Sequence, residues 1–205
     1  YQAMVQAMND AAEENDVNII YFSGGVLNPP NNAKHRNLVY NLVNDEVVDG
    51  LLIPTGELSR YITSKERNAF LQKFAGIPIV NIGVEIPGVP SVVADIQTGM
   101  EQLLSHLIDD HGYRKIAMIR GYQNHLPSEE RFTAFRNYLK KRGIPFDPGL
   151  IAMVDLGSNG AKDGINKLLE QNGLDCEVII VIGDHMTVRV IDELYKRGYQ
   201  IPQDI

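Results

Sequence analysis

Several absences narrow the possibilities before any motif is considered. The chain carries one cysteine, Cys176, so no disulfide can close within it, which fits the reducing cytoplasm expected as its compartment. Cys176 directly precedes an apolar run and has no activating base around it in sequence, which argues against a nucleophile. Apolar runs reach only about five residues, far short of the ~20 needed to span a bilayer. No basic segment followed by an apolar stretch marks a signal peptide, and no membrane partner is expected. Basic clusters are equally scarce. The net charge is −7, whereas nucleic-acid binding draws on clustered Lys and Arg. The densest basic run, Lys140-Lys141-Arg142, falls at the end of a predicted helix, where it complements the helix dipole. This segment by itself is not expected to bind DNA. A phosphate loop, a Gly-x-Ser-x-Gly elbow and a Gly-x-Gly-x-x-Gly fingerprint are all missing. Asp109-Asp110-His111 reads as a solvated helix end, and Asp184-His185 lacks further ligands at metal spacing. No cofactor, no metal and no catalytic residue is expected.

What is present is alternation. An apolar share of 44% and a charged share of 22% suit a soluble globular chain. Strand-like and helix-like patterns follow one another throughout, the signature of a parallel sheet built from βαβ units. A helix is predicted from Tyr1 to about Asn15, a strand over Val17–Phe22, and a helix carrying Leu38, Leu42 and Val43 on one face. Strands follow at Leu51–Ile53, Pro78–Ile82 and Ser91–Ala94, with a capping-box helix start at Thr63-Ser64-Lys65-Glu66. Asp95 can cap a helix whose stripe of Ile96, Met100, Leu103, Leu104, Leu107 and Ile108 has helical spacing. His111-Gly112 closes that helix. A second set then begins, with strands at Lys115–Ile119, Leu150–Val154 and Val178–Ile182 separated by helices. The expected architecture is α/β, two Rossmann-like lobes with parallel sheets, one over residues 1–112 and one over 113–205.

The last strand, Val178–Ile182, runs into Gly183-Asp184-His185-Met186, then a helix, then Gly198-x-x-Ile201-Pro202-Gln203-Asp204-Ile205. This arrangement resembles the effector-binding core of the lactose-repressor (LacI/GalR-like) family, where an Asn-Asp-x-Met turn and a Gly-x-x-Ile-Pro-x-Asp-Ile ending recur. Gly183 stands at the Asn position. The resemblance extends along the chain in order. Val48-Asp49-Gly50-Leu51, Gly76-Ile77-Pro78-Ile79-Val80, Asp95-x-x-x-Gly99, His106-Leu107 and Gly112-Tyr113-Arg114-Lys115-Ile116-Ala117 are each similar to a family motif. Glu130-Arg131-Phe132-Thr133-Ala134-Phe135 is similar to the Arg-x-x-Gly-Phe/Tyr motif, with Ala134 replacing the glycine. The fold implied is the type I periplasmic-binding-protein fold. The family's first strand would precede Tyr1, and a strand ending in Gly-Phe/Tyr-Asp-Asp would follow Ile205, so both lobes are expected to be truncated. Its N-terminal DNA-binding head would likewise precede Tyr1. The Ser23-Gly24-Gly25 turn and the Val39-Tyr40-x-Leu42-Val43 helix also look like the variant fused to diguanylate cyclases and histidine kinases.

What the resemblance implies is a non-catalytic sensor, a homodimer, binding a small sugar- or nucleoside-like effector between its lobes. DNA would be met only through a separate N-terminal domain. In open α/β sheets ligands bind beyond the carboxyl ends of strands, so the candidate ligand-binding residues lie there. Arg131 leads, since its guanidinium offers a rigid fork of donors for a carboxylate or adjacent hydroxyls. By residue type alone it also suits a solvated arginine paired with Glu129 or Glu130. Asp184 can accept bonds from two sugar hydroxyls, or cap the following helix, or do both. His125 and Leu156 fall where the purine-binding branch places contacts, and Tyr1 could stack on a flat ligand. Thr55 and Glu57 follow from topology alone. The two rivals are a secreted solute-binding protein of a transporter, with the same fold, and a Rossmann-like enzyme, for which every motif is missing.

Overall fold

A computed structural model describes residues 2–29, 33–121, 126–155 and 159–205. The chain runs through α1 (Gln2–Glu14), a 3₁₀ segment (Ala33–Leu42), β1 (Leu51–Ile53), α2 (Thr55–Leu58), α3 (Ser64–Gln72), β2 (Ile79–Ile82) and β3 (Ser91–Val92). It continues through α4 (Ile96–Ser105), a π turn (His106–Asp110), β4 (Ile116–Arg120), α5 (Leu126–Lys141) and a 3₁₀ turn (Pro148–Leu150). Last come β5 (Ile151–Met153), α6 (Gly160–Asn172), β6 (Val178–Val181) and α7 (Asp184–Lys196).

These strands form two separate three-stranded parallel sheets, ordered β1-β2-β3 and β5-β4-β6. The second is the better covered. Every residue of β4 is buried, as a near-continuous apolar strand at the centre of a parallel sheet must be. Its residues alternate between two cores. Ala117 and Ile119 pack with Ile165 and Leu168 of α6 and Val190 and Leu194 of α7. Ile116 and Met118 pack with Met100 and Leu104 of α4 and Phe135 and Leu139 of α5. The first sheet buries Ile53 against Phe70, Leu71 and Phe74 around α3, while Leu52 and Val92 on its opposite face are 53% and 61% exposed.

Local signals read from the sequence hold where they rest on side-chain chemistry. Thr63 and Glu66 form the reciprocal capping box of α3. Asp95 accepts the Thr98 N–H at 3.0 Å at the start of α4, and that bond lowers its carboxyl pKa.

Three expectations change. Val17–Phe22 is not a strand: among the described residues no strand pairs with it, and Val17 and Ile20 stand 57% and 55% exposed. An extended segment without a ladder partner leaves its backbone groups to water. The segment around Leu38 winds as a 3₁₀ helix, with Leu38 and Leu42 exposed rather than packed. The boundary near Gly112 assigned the Ile96–Ile108 stripe to the first lobe, yet Met100, Leu104 and Ile108 belong to the core under β4 and α5. The change of sheet therefore falls between Val92 and Ile96, because an amphipathic helix goes with the sheet that covers its stripe.

Candidate functional site

The carboxyl edge of the second sheet gathers the polar groups. Arg120 ends β4 and is 3% exposed. A buried guanidinium must be paired, and Glu129, one turn into α5, makes an ion pair with its Nη2. Its Nε donates to the Gly121 carbonyl at 3.2 Å, and its Cζ lies 4.1 Å from the centre of the Phe132 ring, within cation–π range. Ser128, fully buried, secures the same turn by accepting the Gly121 N–H at 3.0 Å.

Arg131 lies in the second turn of α5, half-buried, and its Nη1 donates to the Pro127 carbonyl at 2.9 Å. The sequence left Glu129 as a partner for Arg131; the structure gives Glu129 to Arg120 instead. Arg131 thus keeps donors for another acceptor. Asp184 opens α7 directly beyond β6 and is exposed. It is not the helix cap. Gly183 occupies that position at φ +104°, with no side-chain cap bond, a backbone conformation that favours glycine. Because β4 and β6 are hydrogen-bonded neighbours, Arg131 and Asp184 follow the same edge of adjacent strands.

A third strand feeds this edge. Asp155 follows β5, and a Cβ on Gly160 would lie 2.0 Å from the Asp155 carbonyl oxygen and 2.7 Å from Met186 Cε. Only a glycine lets the start of α6 press against both the β5 exit and α7. Leu126, at the head of α5, packs against the apolar cluster of the first sheet. The segment bearing Glu129 and Arg131 is thereby seated against both halves of the chain.

At the carboxyl edge of the first sheet, Thr55 is 1% exposed and its hydroxyl donates to Asn81 Oδ1. The amide of Asn81 in turn donates to the Val84 carbonyl. Thr55 is thus engaged in tying β1 to β2. Glu57 is exposed and ion-paired with Arg60 at 2.9 Å. Tyr1, His125 and Leu156 lie outside the described residues. Cys176 sits at the opposite end of β6, and burial together with Asp175 and Glu177 pushes its thiol up to about 11, which leaves it protonated and inert at neutral pH. Sequence reasoning missed Arg120. The signal that reveals it is the one that singled out Asp184, a charged residue at the exit of a buried apolar strand.

Comparison with known proteins decides the family. Over residues 1–205 the chain matches the periplasmic binding proteins and sugar binding domain of LacI family. It belongs to that family. Among curated relatives, the HTH-type transcriptional regulator DegA of Bacillus subtilis is 27% identical over 177 residues, which cover 84% of this chain and 50% of DegA. The ribose operon repressor of Escherichia coli K12 is 27% identical over 159 residues, 77% of this chain and 46% of the repressor. Among solved structures, the transcription regulator CcpA of Lactococcus lactis superposes with a TM-score of 0.77 at 22% identity, covering 100% of this chain and 70% of CcpA. The LacI-family chain thus spans about half the length of the curated relatives it matches. Those relatives are transcriptional regulators rather than enzymes. Among the described residues, no helix is long and apolar enough to cross a membrane.

Proposed function

We propose that this chain is the effector-binding domain of a LacI-type transcriptional regulator of the cytoplasm. It takes a small sugar- or nucleoside-like metabolite between two lobes and relays their closure to an output domain. The observation that carries this reading is the placement of Arg131 and Asp184 beyond the ends of the adjacent strands β4 and β6. One supplies a fork of donors, the other two acceptor oxygens, and neither is consumed by a structural ion pair among the described residues. Hydroxyl-rich ligands need both kinds of group. The relatives support a sugar, since one of them is a ribose operon repressor.

The lobes proposed are the two sheets with their helices. A ligand held by the second sheet and touching the first only in a closed state shifts the equilibrium toward closure by its differential affinity. Leu126 is the physical link, because it carries α5 against the first core. The output is DNA binding through a separate N-terminal domain, in a homodimer. Support for the dimer lies on α7, where Val188, Ile191 and Tyr195 are exposed at 67%, 36% and 54% and fall on one helical stripe.

The test is a thermal-shift screen of sugars and nucleosides on the full-length protein, then calorimetry of Arg131→Ala and Asp184→Ala with the metabolite found. Loss of charged hydrogen bonds costs about 1.5–3 kcal/mol, roughly a tenfold to hundredfold rise in Kd. Unchanged affinity in both variants would remove these residues from the site.

A further inference from the structure

The turn from α4 to β4 holds two histidines in a geometry that the sequence hides. On an α-helix, residues five apart are about 140° apart around the axis and cannot share a ligand. Here the helix widens into a π turn over His106–Asp110, closed by the His111 N–H donating to the His106 carbonyl at 3.1 Å. The wider turn brings the two rings together at 4.4 Å between centres, joined Nε2 to Nε2 by a hydrogen bond of 3.1 Å whose proton a bound metal ion would displace. Single π turns within helices gather at functional sites.

Each ring has a second contact, His106 at its other nitrogen and His111 on its face. Asp110 Oδ2 lies 3.1 Å from Nδ1 of His106, so a proton on Nδ1 is held there and Nε2 is left with its lone pair. Gly112, at φ +78°, turns the chain so that the Tyr113 ring stacks on His111, 5.6 Å away and within 11° of parallel. Asp109 is already engaged by Arg142, Tyr138 and Ser105 and takes no part. The His106 side chain is 59% exposed, open to a solvated ion.

We propose that His106 and His111 form a two-nitrogen site for a divalent d-block cation, with Asp110 as the outer carboxylate that orients His106. Metal–imidazole bonds of about 2.0–2.1 Å put two ligating nitrogens about 2.9 Å apart at a right angle and about 3.3 Å apart at the tetrahedral angle. The observed 3.1 Å lies between them. A carboxylate behind a ligating imidazole is the usual second layer of such sites. Imidazole pairs suit Cu²⁺, Ni²⁺ and Zn²⁺, whereas Mg²⁺ and Ca²⁺ seek oxygen. Among the described residues no group of three His, Cys, Asp or Glu side chains converges on one ion, so water completes the coordination. The site lies at the turn that leads from α4 to the amino end of β4, away from the carboxyl edge that holds Arg131 and Asp184, and it stands independently of the effector proposed there.

The test is calorimetric titration of the full-length protein with ZnCl₂, together with imidazole NMR. The expected result is one saturable site that shifts the His106 and His111 resonances. His106→Ala and His111→Ala should each weaken it at least about tenfold, Asp110→Asn by about 10–100-fold, and His185→Ala not at all. MgCl₂ at the same concentration should leave the resonances in place. Zinc binding undiminished in both histidine variants, or equal shifts with Mg²⁺, would overturn the assignment. So would the absence of saturable zinc binding in the wild-type protein at millimolar concentration.

Discussion

Replacing Glu129 by Gln isolates the value of a buried charge. The substitution keeps the shape of the side chain and removes its charge from beside Arg120, whose own side chain is 4% exposed. Breaking a buried pair from one side costs about 3–5 kcal/mol, because a charge remains out of water without its partner. Two features soften that figure: Glu129 is 33% exposed on its side chain, and the Gly121 carbonyl and the Phe132 ring still face the guanidinium. We expect about 2–3 kcal/mol of lost stability, read as a fall in the urea midpoint at unchanged slope. Arg120→Met alone should cost a similar amount, since it leaves the carboxylate facing an apolar strand end. The double variant Arg120→Met/Glu129→Gln should recover more than half of the summed loss, because replacing both members of a buried pair is often near neutral. A Glu129→Gln protein within about 0.5 kcal/mol of wild type would refute the view that this pair secures the β4–α5 turn.

Other outcomes follow from the same geometry. Val188→Asp, on the exposed stripe of α7, should convert a dimer to a monomer by sedimentation with the secondary structure intact; an unchanged sedimentation profile would place the interface elsewhere. Glu177 accepts the Arg114 and Lys115 N–H groups at 2.6 and 2.8 Å, and these bonds, Lys115 first, hold its pKa below its ordinary 4.5. A depressed carboxylate contributes stability that is present above the unfolded pKa and lost as pH falls through the folded one. Glu177→Gln should therefore flatten the fall in the urea midpoint below about pH 4.5, and an unaltered profile would count against it. Gly164→Ala would set a methyl carbon 2.9 Å from Ile119 Cγ2 in the fully buried β4 core, which should cost about 1–3 kcal/mol of overpacking; a stabilised variant in the same denaturation assay would contradict it.

The second sheet was readable because each of its strands is a short apolar run ending at a polar residue, as at Val181 and Asp184. Strand identity there is set by burial on both faces, which composition reports directly. The strand expected at Val17–Phe22 had the right residue types but depended on a neighbour that composition does not reveal. The helix carrying Leu104 was located correctly and assigned to the wrong sheet, since periodicity shows which face is apolar and not what covers it. For the candidate site, family motifs nominated Arg131 and local position nominated Asp184. Arg120 escaped because it reads as the last residue of a strand, and its pairing with Glu129 depends on how the Gly121 turn folds. The closeness of His106 and His111 was equally invisible, because five-residue spacing brings side chains together only after a helix has widened.

The unequal cover of the two sheets has a consequence for motion. β4 has packed helices on both faces, so its amides open only when the whole second core does, and their hydrogen exchange should report the global unfolding free energy. β1 and β2 rest on a single smaller cluster, with Leu52 of β1 and Val92 of the edge strand β3 facing outward. Their amides should exchange through smaller, earlier openings. The chain would then loosen in two stages, the first sheet breathing while the second stays closed, and Leu126 would sit where the more mobile half meets the stiffer one.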